Sequence, residues 1–76
     1  MTQERLNNLC DNLNKMGYGR DKETRLYGEN YRFTSDPIVV AERVVFIDAV
    51  ERESGRSKRI RLPLTIIHMA NQNLPD

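Results

Sequence analysis

A run of β-branched residues from Ile38 to Val50 constrains the fold of this chain more than any other feature. Seven of its thirteen residues are isoleucine or valine. Asp36 followed by Pro37 could instead begin a helix, because a capping residue before a proline is a typical helix start. β-Branched side chains, however, lose rotamer freedom in helices and pack well on pleated surfaces. The run therefore favours a strand that is apolar on both faces, with Glu42-Arg43 marking a bulge or bend.

Turn signals on either side of this strand predict two hairpins. After it, the Glu-Ser-Gly-Arg sequence at 53–56 is the expected turn, and Ser57–Leu62 returns as the partner strand. Pro63 ends that pairing, because proline has no N–H to donate. Before it, Thr24–Tyr27 and Tyr31–Thr34 are expected to form two shorter strands around a three-residue loop that contains a glycine.

The spacing of apolar residues predicts a helix at each end of this strand region. Residues 2–16 can start at a Thr2 cap and stop at Gly17, and their apolar stripe is Leu6, Leu9, Cys10, Leu13 and Met16. A short second helix is expected from Leu64 to Ala70, with Leu64, Ile66, Ile67 and Ala70 facing inward. The expected fold class is α+β, in a single domain of residues 1–76. Its N-terminal helix packs on a small antiparallel sheet of three to four strands, and a short C-terminal helix follows.

The size of the chain makes self-association the expected source of extra stability. A chain of 76 residues buries only about 60–65% of the surface that it exposes when unfolded. Cys10 is the only cysteine and His68 the only histidine, so no intramolecular disulfide and no Cys/His zinc site can form. A strand that is apolar on both faces also needs a second cover. These features predict a homodimer or higher homo-oligomer with no cofactor.

The sequence also predicts where the protein works. It shows neither a charged-then-apolar leader nor an apolar run of membrane-spanning length. A lone cysteine suits a reducing compartment. We therefore expect a cytoplasmic protein, either of a bacterium or of a virus-infected host cell.

No group of residues resembles a catalytic set, so we expect a protein that is not an enzyme. Cys10 lies on the apolar stripe of the first helix, where a free cysteine behaves as a small hydrophobe. Asp48 falls on one face of its strand and Glu51 and Glu53 on the other, so the three carboxylates do not converge. Gly17-Tyr18-Gly19 lacks the third glycine and the preceding strand of a dinucleotide-binding loop.

The second hairpin is the strongest functional candidate because it concentrates positive charge. Five cations fall within ten residues: Arg52, Arg56, Lys58, Arg59 and Arg61. A four-residue turn would place Glu53 opposite Arg56, Glu51 opposite Lys58, and Asp48 opposite Arg61. In that register one face directs Ile47, Ala49, Ile60 and Leu62 toward the core. The other face presents Arg52, Arg59 and Arg61 with Asp48 as the opposing acid.

This register supports two classes of function. In the first, the protein is a non-enzymatic binding module that holds an anionic ligand, a nucleotide or nucleic acid, with Arg52, Arg59 and Arg61. Tyr27 and Tyr31 would add stacking surface for bases. In the second, it is a small protein–protein inhibitor or adaptor of the kind that phages and mobile elements encode. The hairpin would then serve only as a solvated, ion-paired surface.

Overall fold

The computed structural model describes residues 3–72 and has an α+β fold. Within that range, one helix precedes and one helix follows an antiparallel sheet of five strands, where the sequence predicted three to four strands. The elements in chain order are α1 (Gln3–Lys15), β1 (Glu23–Leu26), β2 (Glu29–Phe33), β3 (Ile38–Ala41), β4 (Val44–Glu51), β5 (Ser57–Arg61) and α2 (Leu64–Gln72). Thr2, the expected cap of the first helix, lies outside the described residues. Neither α1 nor α2 is long and apolar enough to cross a membrane.

The sheet is organised around β4, its longest strand. Phe46 in this strand pairs with Ile38 of β3 and also with Arg61 of β5, so β3 and β5 lie on opposite edges of β4. Val50 pairs in the same way with β2 and with β5. Both β2 and β3 therefore run along one edge of β4, as two parts of a strand path interrupted at residues 34–37.

The run from Ile38 to Val50 is extended, as expected, but it forms two strands instead of one. Glu42 and Arg43 are the loop of a tight hairpin in which Ala41 pairs with Val44, so the expected bulge or bend at this position was wrong. Neither loop residue has a positive φ. Turns without positive φ fit the twist of paired strands poorly. The register shift between Val39 and Ala41 absorbs that mismatch next to the loop.

The first hairpin is tighter than the sequence indicated. Leu26 pairs with Glu29, which leaves a two-residue turn of Tyr27 and Gly28 instead of the expected three-residue loop. The φ angles of these two residues are +52° and +77°. Positive φ at both central positions marks the type I′ turn that suits strand twist, and its first position usually holds asparagine, aspartate or glycine. Tyrosine is an unfavourable choice there.

The hydrophobic core lies on one face of the sheet. Along β4, Val45, Ile47 and Ala49 are buried, whereas their alternating neighbours are only partly buried. Residues from both helices complete the same cluster, whose members are Leu9, Leu13, Leu26, Tyr31, Phe33, Val45, Ile47, Ala49, Ile60, Leu62, Ile67 and Ala70. We call the opposite side of the sheet the outer face. The β4 residues on this face are not part of the core cluster.

The two helices also contact each other, and α2 places its side chains differently from the prediction. The amide of Asn12 donates a hydrogen bond of 3.0 Å to the carbonyl of Ala70. Ile67 and Ala70 are buried, but Leu64, expected to face inward, is 58% exposed. At roughly 100° per residue, Leu64 lies about 120° around the helix from Ala70 and falls outside the buried stripe.

Candidate ligand-binding groove

The strand pairing that positions the cationic hairpin differs from the predicted register by two residues. Asp48 pairs with Arg59, not with Arg61, and Lys58 pairs with Ala49, not with Glu51. The loop between the strands spans residues 52–56, and the turn is closed by Glu51 with Arg56 instead of Glu53 with Arg56, which makes it two residues longer than expected. The N–H of Gly55 donates to the carbonyl of Glu51 across it. A shift of two residues keeps every side chain on its predicted face. Ile47, Ala49, Ile60 and Leu62 therefore face the core, as expected.

The outer edge of β5 offers backbone groups that no strand uses. Glu51 N–H donates to Arg56 and Leu62 N–H donates to Val45, both at 2.9 Å. In an antiparallel ladder, hydrogen-bonded pairs alternate with pairs that are not hydrogen-bonded. The backbone groups of residues 56, 58, 60 and 62 therefore point into the sheet, and those of residues 57, 59 and 61 point away from it. Within residues 3–72, β4 is the only strand that pairs with β5.

A groove of about 500 Å³ runs beside this edge and contains four of the five predicted site residues. Its lining residues are Tyr27, Glu29, Tyr31, Lys58, Arg59, Ile60 and Arg61. The fifth predicted residue, Arg52, does not line this groove and instead forms an ion pair of 3.0 Å with Glu23 of β1. The fold thus brings the first hairpin and the last strand together around one surface.

Tyr27 forms one wall of the groove. Its side chain is 63% exposed, and its hydroxyl donates a hydrogen bond of 2.6 Å to the carbonyl of Arg61. That carbonyl belongs to the free edge of β5, so the hydrogen bond joins the turn of the first hairpin to β5. Because the hydroxyl is held, the exposed ring has a fixed position. Its left-handed backbone is a conformation that residues other than glycine rarely adopt.

Tyr31 has a different role from the one that the sequence suggested. Its side chain is only 2% exposed and belongs to the core, so its ring does not offer a surface for a base. Instead the ammonium group of Lys58 lies 5.2 Å from the centre of that ring. A hydrogen bond with Tyr31 raises the pKa of Lys58. Tyr31 thereby positions a cation in the groove that the sequence analysis had assigned to an ion pair with Glu51.

The other two cations of the groove, Arg59 and Arg61, differ in whether an acidic side chain neutralises them. Arg59 contacts Asp48 through two hydrogen bonds, Nε to Oδ1 at 2.8 Å and Nη2 to Oδ2 at 3.3 Å. This interaction lowers the pKa of Asp48 and raises that of Arg59. Arg61 has no ion pair among the described residues. With Glu29 also in the lining, the groove has a small excess of positive charge, and Arg61 is its least neutralised cation.

The outer face of the sheet is less basic than the hairpin alone suggested. Besides the pairs that hold Arg52 and Arg59, Arg32 lies 3.6 Å from Asp21. The acids of two of these three pairs come from β1 or the segment before it. These two acids, Asp21 and Glu23, are more than twenty positions away from the hairpin in the sequence.

Cys10 and His68, the residue types in this chain that most often act in catalysis, do not line this groove. The thiol of Cys10 lies 3.5 Å from the carbonyl of Pro37, and burial raises the pKa of Cys10. The ring of His68 contacts the side chain of Gln72 at 3.1 Å. Between residues 3 and 72, no group of three or more His, Cys, Asp or Glu side chains is placed to hold a metal ion.

The arrangement is suited to binding a ligand that carries both an anion and a flat apolar surface. Three cations, an immobilised aromatic ring and free backbone N–H groups converge on one strand edge. No protein-family model, curated protein or solved structure matches this chain.

Proposed function

We propose that this protein is a non-enzymatic binding module that holds a nucleotide or single-stranded nucleic acid in the groove between Tyr27 and the outer edge of β5, which we call the β5 groove. The observation that carries the proposal is the exposed ring of Tyr27, fixed by its hydrogen bond to Arg61 beside the cations of β5. Aromatic platforms next to positive charge bind single strands, because every base has a face that can stack. Duplex DNA keeps its bases stacked inside and would use only the cations.

Each residue of the groove has a distinct part in this binding mode. Arg61 binds phosphate, since no acid in the described chain neutralises it. Lys58 adds a second charge from the core-facing side of β5. The outward N–H of Arg59 is a further donor, of the kind that commonly contacts phosphate oxygens. Arg52, which forms an ion pair on the other side of the sheet, has no part in it.

A second copy of the chain strengthens this binding. One groove supplies two or three phosphate contacts, and affinity for a polyanion rises with the number of such contacts. The outer face carries three apolar residues of β4 that are partly buried and lie outside the core cluster, namely Val44, Phe46 and Val50. We expect a homodimer that places two grooves on one ligand. We also expect the protein in the cytoplasm, where the free thiol of Cys10 stays reduced.

Fluorescence anisotropy with a labelled single-stranded oligonucleotide tests the proposal. For two to three phosphate contacts, we expect log affinity to fall with log salt concentration at a slope of about −1.4 to −2. Arg61→Gln should weaken binding several-fold and reduce that slope by about 0.7. Arg20→Gln is the matched control, because Arg20 is an exposed arginine outside the groove.

Binding that is indifferent to salt, or equal in the Arg61 and Arg20 variants, would contradict nucleic-acid binding. It would instead favour the protein–protein inhibitor or adaptor of phage or mobile-element type. One observation favours that alternative. The outward N–H and C=O groups of β5 could pair with an extended segment of a partner protein, as sheet edges commonly do.

A further inference from the structure

A second cavity lies where the turn between β3 and β4 meets α2. It has a volume of about 350 Å³ and is lined by Arg43, Leu64, Thr65, Ile67, His68 and Asn71. It shares no lining residue with the β5 groove. Its size is at the lower end of the range for cavities that hold small molecules, about 300–1,000 Å³.

Asn71 gives this cavity an acceptor that lacks a partner. The amide nitrogen of Asn71 donates a hydrogen bond of 3.1 Å to the carbonyl of Glu42. This bond fixes the orientation of the amide, since the reverse orientation would set two oxygens against each other. Oδ1 of Asn71 is buried and has no hydrogen-bond partner among the described residues. Buried acceptors are nearly always paired in folded proteins, so this atom indicates that a donor belongs beside it.

Arg43 supplies a positive charge at the same cavity. It is exposed and forms no ion pair with any described residue. The neighbouring acid, Glu42, is 3.5 Å from Arg5 of α1 and is therefore partly neutralised. A guanidinium group without an acid is well suited to a carboxylate, which it can bind through two parallel hydrogen bonds.

Leu64 and Ile67 supply an apolar wall. Ile67 is buried, while Leu64 is 58% exposed, although the sequence pattern had predicted that it would face inward. An exposed leucine beside a buried isoleucine offers a surface that a flat apolar group could cover. The cavity thus combines an apolar wall, a cation and an unpaired acceptor within one turn and one helix.

From these three features we propose that the cavity binds a small amphipathic carboxylic acid that also carries a hydrogen-bond donor. The apolar body packs on Leu64 and Ile67, the carboxylate binds Arg43, and the donor reaches Oδ1 of Asn71. Because Oδ1 has no exposed surface, this binding mode includes a slight rotation of the Asn71 amide about its hydrogen bond to Glu42, which keeps that bond while Oδ1 meets the donor. This site does not depend on the function proposed for the β5 groove.

A titration followed by ¹H–¹⁵N NMR tests the proposal with three related probes on the unaltered protein. 4-Hydroxyphenylacetate has a ring, a carboxylate and a hydroxyl donor. Phenylacetate lacks the donor, and 2-(4-hydroxyphenyl)ethanol lacks the carboxylate. We expect saturable shifts at residues 43 and 64–71 with the first compound. Its affinity should be at least about fivefold higher than that of either analogue, because each analogue loses one polar contact.

The variant Arg43→Gln should remove the preference for 4-hydroxyphenylacetate over the uncharged alcohol. Arg20→Gln, at an exposed arginine outside the cavity, should leave that preference unchanged. Equal affinities for the three probes, shifts confined to residues 57–61, or no saturable shift at millimolar concentration would each overturn the proposal. An unchanged preference in Arg43→Gln would overturn it too.

Discussion

Replacing Tyr27 in two ways should separate its effect on stability from its effect on binding. Tyr27→Phe keeps the ring but removes the hydroxyl that donates to the Arg61 carbonyl. A hydrogen bond between neutral groups contributes about 0.5–1.5 kcal/mol to the free energy of unfolding. Because Tyr27 is 63% exposed, we expect a loss in the lower half of that range.

Tyr27→Asn removes both the ring and the hydroxyl but suits the turn better. Residues other than glycine lose about 1–2 kcal/mol in the left-handed conformation, and asparagine tolerates it more readily than tyrosine. Asn-Gly is also a preferred pair for a type I′ turn. The relief of this strain, about 1 kcal/mol, should offset most of the lost hydrogen bond, so the free energy of unfolding should change little.

For oligonucleotide binding we expect the opposite order of the two variants, with the larger loss in Tyr27→Asn. Stacking of a base on an aromatic ring contributes about 1–3 kcal/mol, so Tyr27→Asn should weaken oligonucleotide binding about 5- to 150-fold. Tyr27→Phe retains the ring, so its affinity for the oligonucleotide should stay within about threefold of that of the unaltered protein. Urea unfolding followed by circular dichroism gives stability, and anisotropy gives affinity. If the asparagine variant bound as tightly as the unaltered protein, the stacking role of Tyr27 would be refuted.

Three further perturbations test the fold by urea unfolding. Ile47→Ala should lower the free energy of unfolding by about 2–5 kcal/mol because Ile47 is fully buried, while Val40→Ala, at a residue 60% exposed, should change it by less than about 0.5 kcal/mol. Lys58→Pro should cost at least about 1–3 kcal/mol by removing an N–H that points into the sheet, whereas Ser57→Pro, whose lost N–H points away from it, should be tolerated; equal losses would refute the alternation that we infer for β5. The contact with Arg59 lowers the pKa of Asp48 below its ordinary value of about 3.8, so it stabilises the fold above that pH and is lost as the pH falls through the lowered pKa. Asp48→Asn should therefore be less stable than the unaltered protein at pH 7, by a difference that shrinks as the pH falls through the lowered pKa; a stability difference that did not shrink on acidification would contradict this.

The pairing of β4 with β5 shows which part of a sheet a sequence can specify. The alternation of apolar and polar residues assigned Ile47 and Ile60 to the core face correctly. It could not fix the register, because a slip of two residues leaves every side chain on the same face. The predicted register placed Glu51 opposite the oppositely charged Lys58, but each such surface pair contributes only about 0.2–1 kcal/mol to stability. The five-residue loop with Gly55 in the left-handed conformation set the pairing instead.

Turns without typical turn residues account for the other differences in the fold. Glu42-Arg43 contains no glycine, asparagine or proline, so the sequence indicated only a bulge or bend there and not the turn that separates β3 from β4. At Tyr27-Gly28 the glycine indicated a turn, but its two-residue length was not predicted because tyrosine is uncommon at the first central position of a type I′ turn. In both places the pairing of the flanking strands overrode the local preference.

The candidate groove was partly predictable for a similar reason. Composition drew attention to Arg59, Arg61 and Tyr27, which do come together. Sequence could not indicate that Tyr31 would be buried beneath Lys58, since an aromatic residue in a strand can face either side. It also could not show that Arg52 pairs with a residue of β1 twenty-nine positions earlier.

The placement of β2 and β3 along a single edge of β4 has a consequence for how the chain folds. With these two strands acting as one path, the sheet is a meander in which each pairing joins segments that follow one another along that path. Pairings between segments that are closer in sequence close smaller loops and tend to form sooner. The hydrogen bond from Asn12 to Ala70, by contrast, joins two residues that are 58 positions apart in the sequence. We therefore expect the meander to assemble before α1 docks against α2, so that loosening this helix contact would raise the unfolding rate far more than it slows folding.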